Sequence, residues 1–479
     1  MNLGNKIRLF LANHGFYILG ILLASIFITG ALFLIDPPVW PDEAIYAETA
    51  KNILVSGELK TTVFGNLISG LNYRSLWYPP LYFYFLALVM KVFGSSIVWL
   101  RFTSVCFGFL SVLSIYSVGY LIFKSRKLAF AASMLMLFDP FFGRAMRVAR
   151  MDALAFFLLT ISLLAFVFYL KKKRWQFLLF VGFLNGIAIL NHPLGLIMPV
   201  VETVVLLFPK GNSLPEKVRQ VIFVNLGPLL AVMAWLAFIG NDIALFWAQY
   251  ALQFERKAAS VPFLITFLSQ NGLWKWLLFL HGGVFFSALA LFFFTKSKEL
   301  FLLLSGFAVS FAVLMWGKEM WYLLYFQPFA SLLAIYLFSK VPMESKTFHS
   351  FAAVVLGTFF ILYGQFFLQT TMSVSPQTNY ARFGNKISAP IPQNARVLLS
   401  TIPDPYFELQ YRQDLTLFEF PTVPVNGSKY RKFIESMDYI VYNFPADKTL
   451  SKFINEKKGK MVRIESGSYQ TVLFKNEKN

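Results

Sequence analysis

Two short stretches of the chain carry the side chains best suited to chemistry. In "WPDEAIYAETAKNILVSGEL", Asp42 and Glu43 stand side by side after Pro41. One reading is structural: Asp42 caps a helix running to Ser56, whose acidic first turn the helix dipole favours. Capping alone does not account for an adjacent carboxylate pair at a membrane boundary, so the pair is also a candidate for proton transfer. In "DPFFGRAMRVARMDALAFF", Arg144, Arg147 and Arg150 lie beside Asp152. These guanidiniums either bind an anion such as a phosphate or tie two helix ends together through Arg–Asp bridges. In "WGKEMWYLLYFQP", Lys318 and Tyr322 can reach a phosphate, while Trp316, Trp321 and Tyr322 equally compose an interfacial aromatic belt. Arg101 opens an apolar run. His192 in "LNHPLGL" precedes a proline that explains a helix break, and a lone histidine is more often structural. No metal-ligand spacing and no phosphate-cradling glycine loop is present.

The elements that must position these groups are membrane helices. Of 479 residues, 57% are hydrophobic and only 14% charged, against about 25% charged in a soluble fold. Apolar runs of about 20 residues, the length that crosses a bilayer, alternate with short basic clusters. The net charge of +19 therefore reads as topological charge and attraction to anionic lipid, not as a nucleic-acid surface. If the six basic clusters face the cytoplasm, each interval between them holds an even number of crossings. This parity predicts about eleven spans with the N-terminus inside. Residues 14–35 make an uncleaved signal anchor, and the run 128–142 goes out. The run 79–94, which begins with a double proline and carries Lys91, lies along the outer face without crossing. Ala44, Ala47, Ala50, Ile53 and Leu54 recur at helical spacing and predict a second surface helix in the same outer loop, residues 36–99.

After Gln369 the pattern changes to alternation. Strands are predicted at 395–400, 415–420, 438–444, 461–465 and 469–474, with helices at 428–437 and 448–458. The expected architecture is a polytopic α-helical membrane protein, residues 1–369, followed by a small extracytoplasmic α/β domain, residues 370–479. The single cysteine, Cys106, lies inside an apolar run and excludes an intrachain disulfide.

In this order and outer placement the pieces resemble the GT-C superfamily of membrane glycosyltransferases, in particular its protein O-mannosyltransferase and aminoarabinose transferase group. The matching residues are Asp42-Glu43, "YPPLYFYFLALVMKVFG", Arg101 in "WLRFTSVCFGFLSVLSIYSVGYLIF", "RVARMDALAFFLLTISLLAF" and the stretch 322–328. The resemblance implies a polyprenyl-phosphate sugar as donor, a lipid, glycan or protein as acceptor, no nucleotide sugar at the outer face, and residence in the cytoplasmic membrane. It implies that Asp42 activates or orients the acceptor, that Glu43 supports it, and that Asp152 is a second acidic residue with Arg150 as partner. Arg74, Arg101, Arg147, Arg150, Lys318 and Tyr322 would then serve the donor phosphate, with His192 a further candidate. Phosphate is already a good leaving group, so such a site needs a base near the acceptor and cations around the phosphate; in-line attack inverts the anomeric carbon. Two departures stand out. Relatives of the aminoarabinose transferase type carry an acid–lysine pair before the double proline where this chain has Trp77-Tyr78, leaving Arg74 as the nearest basic substitute. Asn191-His192 stands where many relatives have a lysine. A transporter or flippase would place its acids at mid-span positions, and these acids lie in outer loops. A non-catalytic assembly factor would leave Asp42-Glu43 and the outer arginines without a role.

Overall fold

The computed structural model describes residues 12–26, 38–208, 213–259, 273–317, 320–340, 380–421, 427–443, 448–457, 459–466 and 469–476. The expected run 348–368 and Lys318 lie outside the described residues. The chain is a multi-pass membrane protein. Its helical body runs α1 (Ala12–Ile26), α2 (Pro41–Ser56), α3 (Leu81–Phe93), α4 (Ile97–Phe123), α5 (Arg126–Leu137), α6 (Pro140–Ala145), α7 (Met151–Lys172), α8 (Trp175–Asn191) and α9 (Ile197–Leu207). It continues through α10 (Leu214–Ile239), α11 (Ile243–Ala259), α12 (Leu273–Thr295), α13 (Lys298–Gly317) and α14 (Gln327–Ser339).

Length and hydropathy qualify α4, α7, α13, the stretch containing α10 and the stretch ending in α14 as able to cross a bilayer. α7 and the stretch ending in α14 are the most enclosed of these, each with 72% of its apolar window buried, whereas only 22% is buried for the stretch containing α10. The open face of α10 carries Leu229, Leu230, Met233 and Leu236, a surface suited to lipid tails. Its other face meets α8 through small residues. A Cβ built on Gly186 would lie 2.7 Å from the Gly227 carbonyl oxygen, and one on Gly182 would lie 2.7 Å from that of Phe223. One on Gly227 would collide with the Gly182 backbone. In a bilayer, where apolar burial gives no preference between helix and lipid, such backbone approach is what draws two helices together.

Several expectations need correction. The helix expected to be capped by Asp42 is capped by Trp40, and Asp42 sits in its first turn. The run 128–142 is not one helix: α5 ends at Leu137, and Asp139 then caps α6 by accepting the Phe142 N–H at 2.9 Å. The segment after α10 folds into α11, an element that the apolar runs of the sequence leave unassigned. α3 has 13 residues, about 20 Å of helix, short of the ~30 Å hydrocarbon thickness.

The C-terminal unit is a five-stranded sheet of β1 (Arg396–Ser400), β2 (Thr416–Glu419), β3 (Tyr439–Asn443), β4 (Gly459–Ser466) and β5 (Tyr469–Asn476), ordered β2-β1-β3-β5-β4. β1 pairs in parallel with β2 and β3; β5 runs antiparallel to both β3 and β4. Alternation predicted all five strands. The sheet seats on the segment between α1 and α4: the Asp404 and Glu419 N–H groups donate to the carbonyls of Val39 and Val63 at 2.8 and 2.7 Å, and Gln410 Nε2 donates to the Ser95 carbonyl at 3.2 Å.

Gly227→Leu should force α8 and α10 apart and destabilise the protein by about 3 kcal/mol or more. Gly283→Ala, where an added Cβ meets nothing within 4 Å, should change stability by less than ~1 kcal/mol. Thermal unfolding of the two variants in one detergent separates these outcomes.

Candidate active site

The site is assembled by the start of α2. Pro41 pre-sets the first helical φ, and Trp40 is the cap. Glu43, at the third helical position, turns back to accept the Trp40 N–H at 3.1 Å, half of a capping box. The same carboxylate is fully buried. Arg101 of α4 grips it with a fork, Nε to Oε1 at 2.8 Å and Nη2 to Oε2 at 2.7 Å, and the Ala149 N–H donates to Oε1 at 2.8 Å. Four charge-assisted hydrogen bonds thus tie α2, α4 and the segment before α7 to one side chain. Further along α2, buried Glu48 accepts from Asn52, Thr61 and Thr62 and fastens the loop after the helix to it.

The neighbours of these anchors point the other way. Asp42, adjacent to Glu43, and Arg150, adjacent to Ala149, meet at 2.8 Å. Arg150 Nε reaches Asp152 Oδ2 at 3.1 Å, and the Tyr325 hydroxyl donates to Asp152 Oδ1 at 3.1 Å. The result is a continuous chain, Asp42–Arg150–Asp152–Tyr325. Asp42 is its most open member, with 36% of its side chain accessible. Burial alone would lower the Arg150 pKa, but the Asp42 and Asp152 carboxylates hold it above its ordinary value. Tyr46, buried behind Asp42 among Tyr78, Tyr82 and Phe83, has its phenol pKa pushed up by burial and stays neutral.

Two cavities flank this chain. The first, about 530 Å³ including its open mouth, is lined by Trp77, Tyr78, His192, Tyr250, Arg256 and Tyr322 among others. The second, about 410 Å³, is lined by Trp40, Phe141, Arg144, Val148, Arg150 and Asp152 among others. The Tyr325 ring lies 6.2 Å from His192 and 6.4 Å from Tyr322, both on the first cavity, while its hydroxyl holds Asp152 on the second. Tyr325 therefore stands in the wall between them.

Of the residues expected at the site, Asp42, Asp152 and Arg150 converge. Tyr322 and His192 line the adjoining cavity; His192 also accepts the Leu194 N–H at 3.0 Å and so caps the break its proline makes. Glu43 and Arg101 converge as well, but spend themselves on each other. Arg147 is buried and donates to the Gly143 carbonyl at 2.7 Å. Arg74 is elsewhere: it pairs with Asp242, donates to the Phe238 carbonyl and lies 4.9 Å over the Phe238 ring, lashing the loop between α2 and α3 to the end of α10. Sequence reasoning missed Tyr325, which sat inside a stretch read as an aromatic belt. It also missed Arg256 and Tyr250, carried by the unassigned α11, and gave no role to Trp40, over whose ring Arg144 lies at 4.5 Å. Among the described residues no group of three or more His, Cys, Asp or Glu side chains is placed to hold a metal ion.

Residues 78–239 match the family described as dolichyl-phosphate-mannose-protein mannosyltransferase. An uncharacterized protein of Aquifex aeolicus is 29% identical over 164 residues, which span 34% of this chain and about a third (32%) of that relative's length. Among solved structures, ArnT from Cupriavidus metallidurans bound to undecaprenyl phosphate superposes with a TM-score of 0.63 at 11% identity, covering 96% of this chain and 98% of ArnT. The Archaeoglobus fulgidus oligosaccharyltransferase tethered to an acceptor peptide gives a TM-score of 0.59 at 11% identity, covering 97% and 74%. The same organism's AglB with an inhibitory peptide and a dolichol-phosphate gives 0.58 at 12% identity, with the same coverage of 97% and 74%. The chain has the GT-C fold, as the resemblance of its sequence implied.

Removing one partner of the Glu43–Arg101 pair leaves a buried charge unanswered, so Arg101→Met or Glu43→Gln should each cost about 3–5 kcal/mol. The double variant should cost less than the sum of the two. Additive losses in a double-mutant cycle of thermal stability would show that the two side chains act separately.

Proposed function

We propose that the chain is an inverting glycosyltransferase that moves a sugar from a polyprenyl-phosphate carrier to an acceptor on the outer face of the membrane. The observation that carries this reading is the Asp42–Arg150–Asp152–Tyr325 chain standing between two cavities in a GT-C fold. In it the N-terminus is cytoplasmic, and the first outer segment and the C-terminal sheet share the non-cytoplasmic side.

The first cavity suits the donor. Its aromatic faces accept a sugar ring or the first isoprenoid unit, and Arg256 with the Tyr322 hydroxyl supplies donors for the phosphate. Lys318, close in sequence to Tyr322, would add a further cation. Arg101 and Arg147, already engaged by protein partners, are given over from phosphate binding to holding the site together, and Arg74 to holding its loop against the end of α10. The second cavity suits the acceptor, bringing its hydroxyl or amine beside the exposed edge of the Asp42–Arg150 pair. Asp42 takes the proton of that nucleophile as it attacks the anomeric carbon opposite the phosphate. The carbon–oxygen bond to phosphate breaks, the carrier phosphate departs with the electron pair, and the centre inverts. The leaving group is stable as an anion, so no acid is required to protonate it.

Asp152 keeps Arg150 oriented, and Arg150 holds the Asp42 carboxylate in one rotamer. Glu43, with its oxygens met by four donors, positions the helix start and takes no part in proton transfer.

With the protein in nanodiscs and a panel of labelled polyprenyl-phosphate sugars, Asp42→Asn should lower transfer by about 10²–10⁴-fold, the usual weight of a general base, at unchanged thermal stability. Wild-type turnover in that variant removes Asp42 from the mechanism. Arg256→Ala should raise the donor KM more than it lowers kcat, whereas an unaltered KM places the phosphate elsewhere.

A further inference from the structure

Away from both cavities, the seam between the C-terminal sheet and the first outer segment buries two acidic side chains that the proposed reaction does not use. Asp404 follows β1, Glu419 ends β2, and both are 0% exposed. Their N–H groups make the bonds to the Val39 and Val63 carbonyls, so both residues sit on the seam itself. The two carboxyls are close enough for each to act on the other's charge. Asp404 Oδ1 accepts the Tyr406 N–H at 2.8 Å. Asp404 Oδ2 and both Glu419 carboxyl oxygens meet no N–H or O–H donor among the described residues.

The charged groups that face the pair only sharpen the problem. From α2, Glu43 acts on Asp404, and Asp42 and Glu48 act on Glu419, all with negative charge. From the C-terminal side, Tyr406 faces both carboxyls, and Tyr380 donates its hydroxyl to the Asp404 carbonyl oxygen at 2.6 Å. The cations that answer the acids of α2 are engaged there, Arg101 by Glu43 and Arg150 by Asp42 and Asp152. Two neighbouring carboxyls, both buried and facing further acids, do not both ionise. A proton held between them is the donor their oxygens lack.

We propose that Asp404 and Glu419 form a proton-binding site that locks the C-terminal domain onto the first outer segment and makes that docking depend on pH. Burial pushes both carboxyls above the ordinary carboxylate range, and for Glu419 the neighbouring Asp404 pushes further. Released into solvent, each titrates near about 4. The docked state therefore holds a proton that the undocked state gives up. Docking is strongest at acidic pH and weakens as pH rises through the raised pKa values. Val39 immediately precedes Trp40, the cap of α2, so losing the Asp404 bond loosens the helix start that presents Asp42.

Hydrogen–deuterium exchange of the full chain in nanodiscs reads this docking without reference to sugar transfer, so its failure is separable from failure of the transferase reading. Between about pH 5 and about pH 9, after division by intrinsic rates, peptides containing Asp404 and Glu419 should gain about tenfold or more in exchange. In Glu419→Gln, whose amide supplies a donor that does not titrate, the profile should be flat; Asp404→Asn provides the same test if the first variant does not fold. A flat wild-type profile, or one shared by wild type and Glu419→Gln, overturns the proposal. Protection that follows added calcium or EDTA at constant pH assigns the carboxyls to a cation and overturns it equally.

Discussion

The carboxylate of Glu43 is shut away from solvent, and a charge so placed must be met by donors or its helix cannot sit where it does. The donors come from three places: the cap of its own helix, the guanidinium of Arg101 on α4, and the backbone ahead of α7. Elements far apart in sequence are thereby held to one point. The candidate site is then a matter of adjacency along the chain, since the residue before Glu43 is Asp42 and the residue after Ala149 is Arg150. One buried ion pair fixes the backbone, and the more open pair beside it inherits the geometry.

This division explains why the arginines, which look alike in sequence, part company in the fold. Arg101 and Arg147 are buried and serve the interior; Arg74 staples a loop to α10; Arg144 and Arg150 border a cavity. The guanidinium suits all of these duties because it stays charged when buried and presents a rigid fork of donors. Residue type therefore announces an ionic or hydrogen-bonding role but does not tell an anchor from a ligand contact. That distinction rests on which carbonyls and carboxylates the fold brings within reach, as Asp242 and the Phe238 carbonyl are brought to Arg74.

Much of the molecule was legible where one local signal dominates. The strands of the C-terminal sheet follow from alternation, and α7, α8, α12 and α13 follow from unbroken apolar runs. Asp42, Arg150 and Asp152 were legible because charge beside apolar sequence is costly and so conspicuous. Where two signals compete, the reading went astray. Asp42 is a better intrinsic cap than Trp40, but the reciprocal bond from Glu43 and the proline at the first helical position move the boundary two residues earlier. α11 carries its aromatic residues among polar ones, so no long apolar run marks it. Tyr325 belongs to a stretch whose rings are an adequate membrane belt by composition, and only the long-range contact with Asp152 sets it apart.

The bond from Asp404 to Val39 joins positions 365 residues apart along the chain. A ribosome delivers the start of α2 and its carboxylates long before it delivers the strands that seat on them. Until the later segment emerges, the membrane helices can insert and pack while the start of α2 lacks its buttress. Sheet docking is therefore a late step of biogenesis, and the half-made protein holds the parts of its site before it holds their final arrangement.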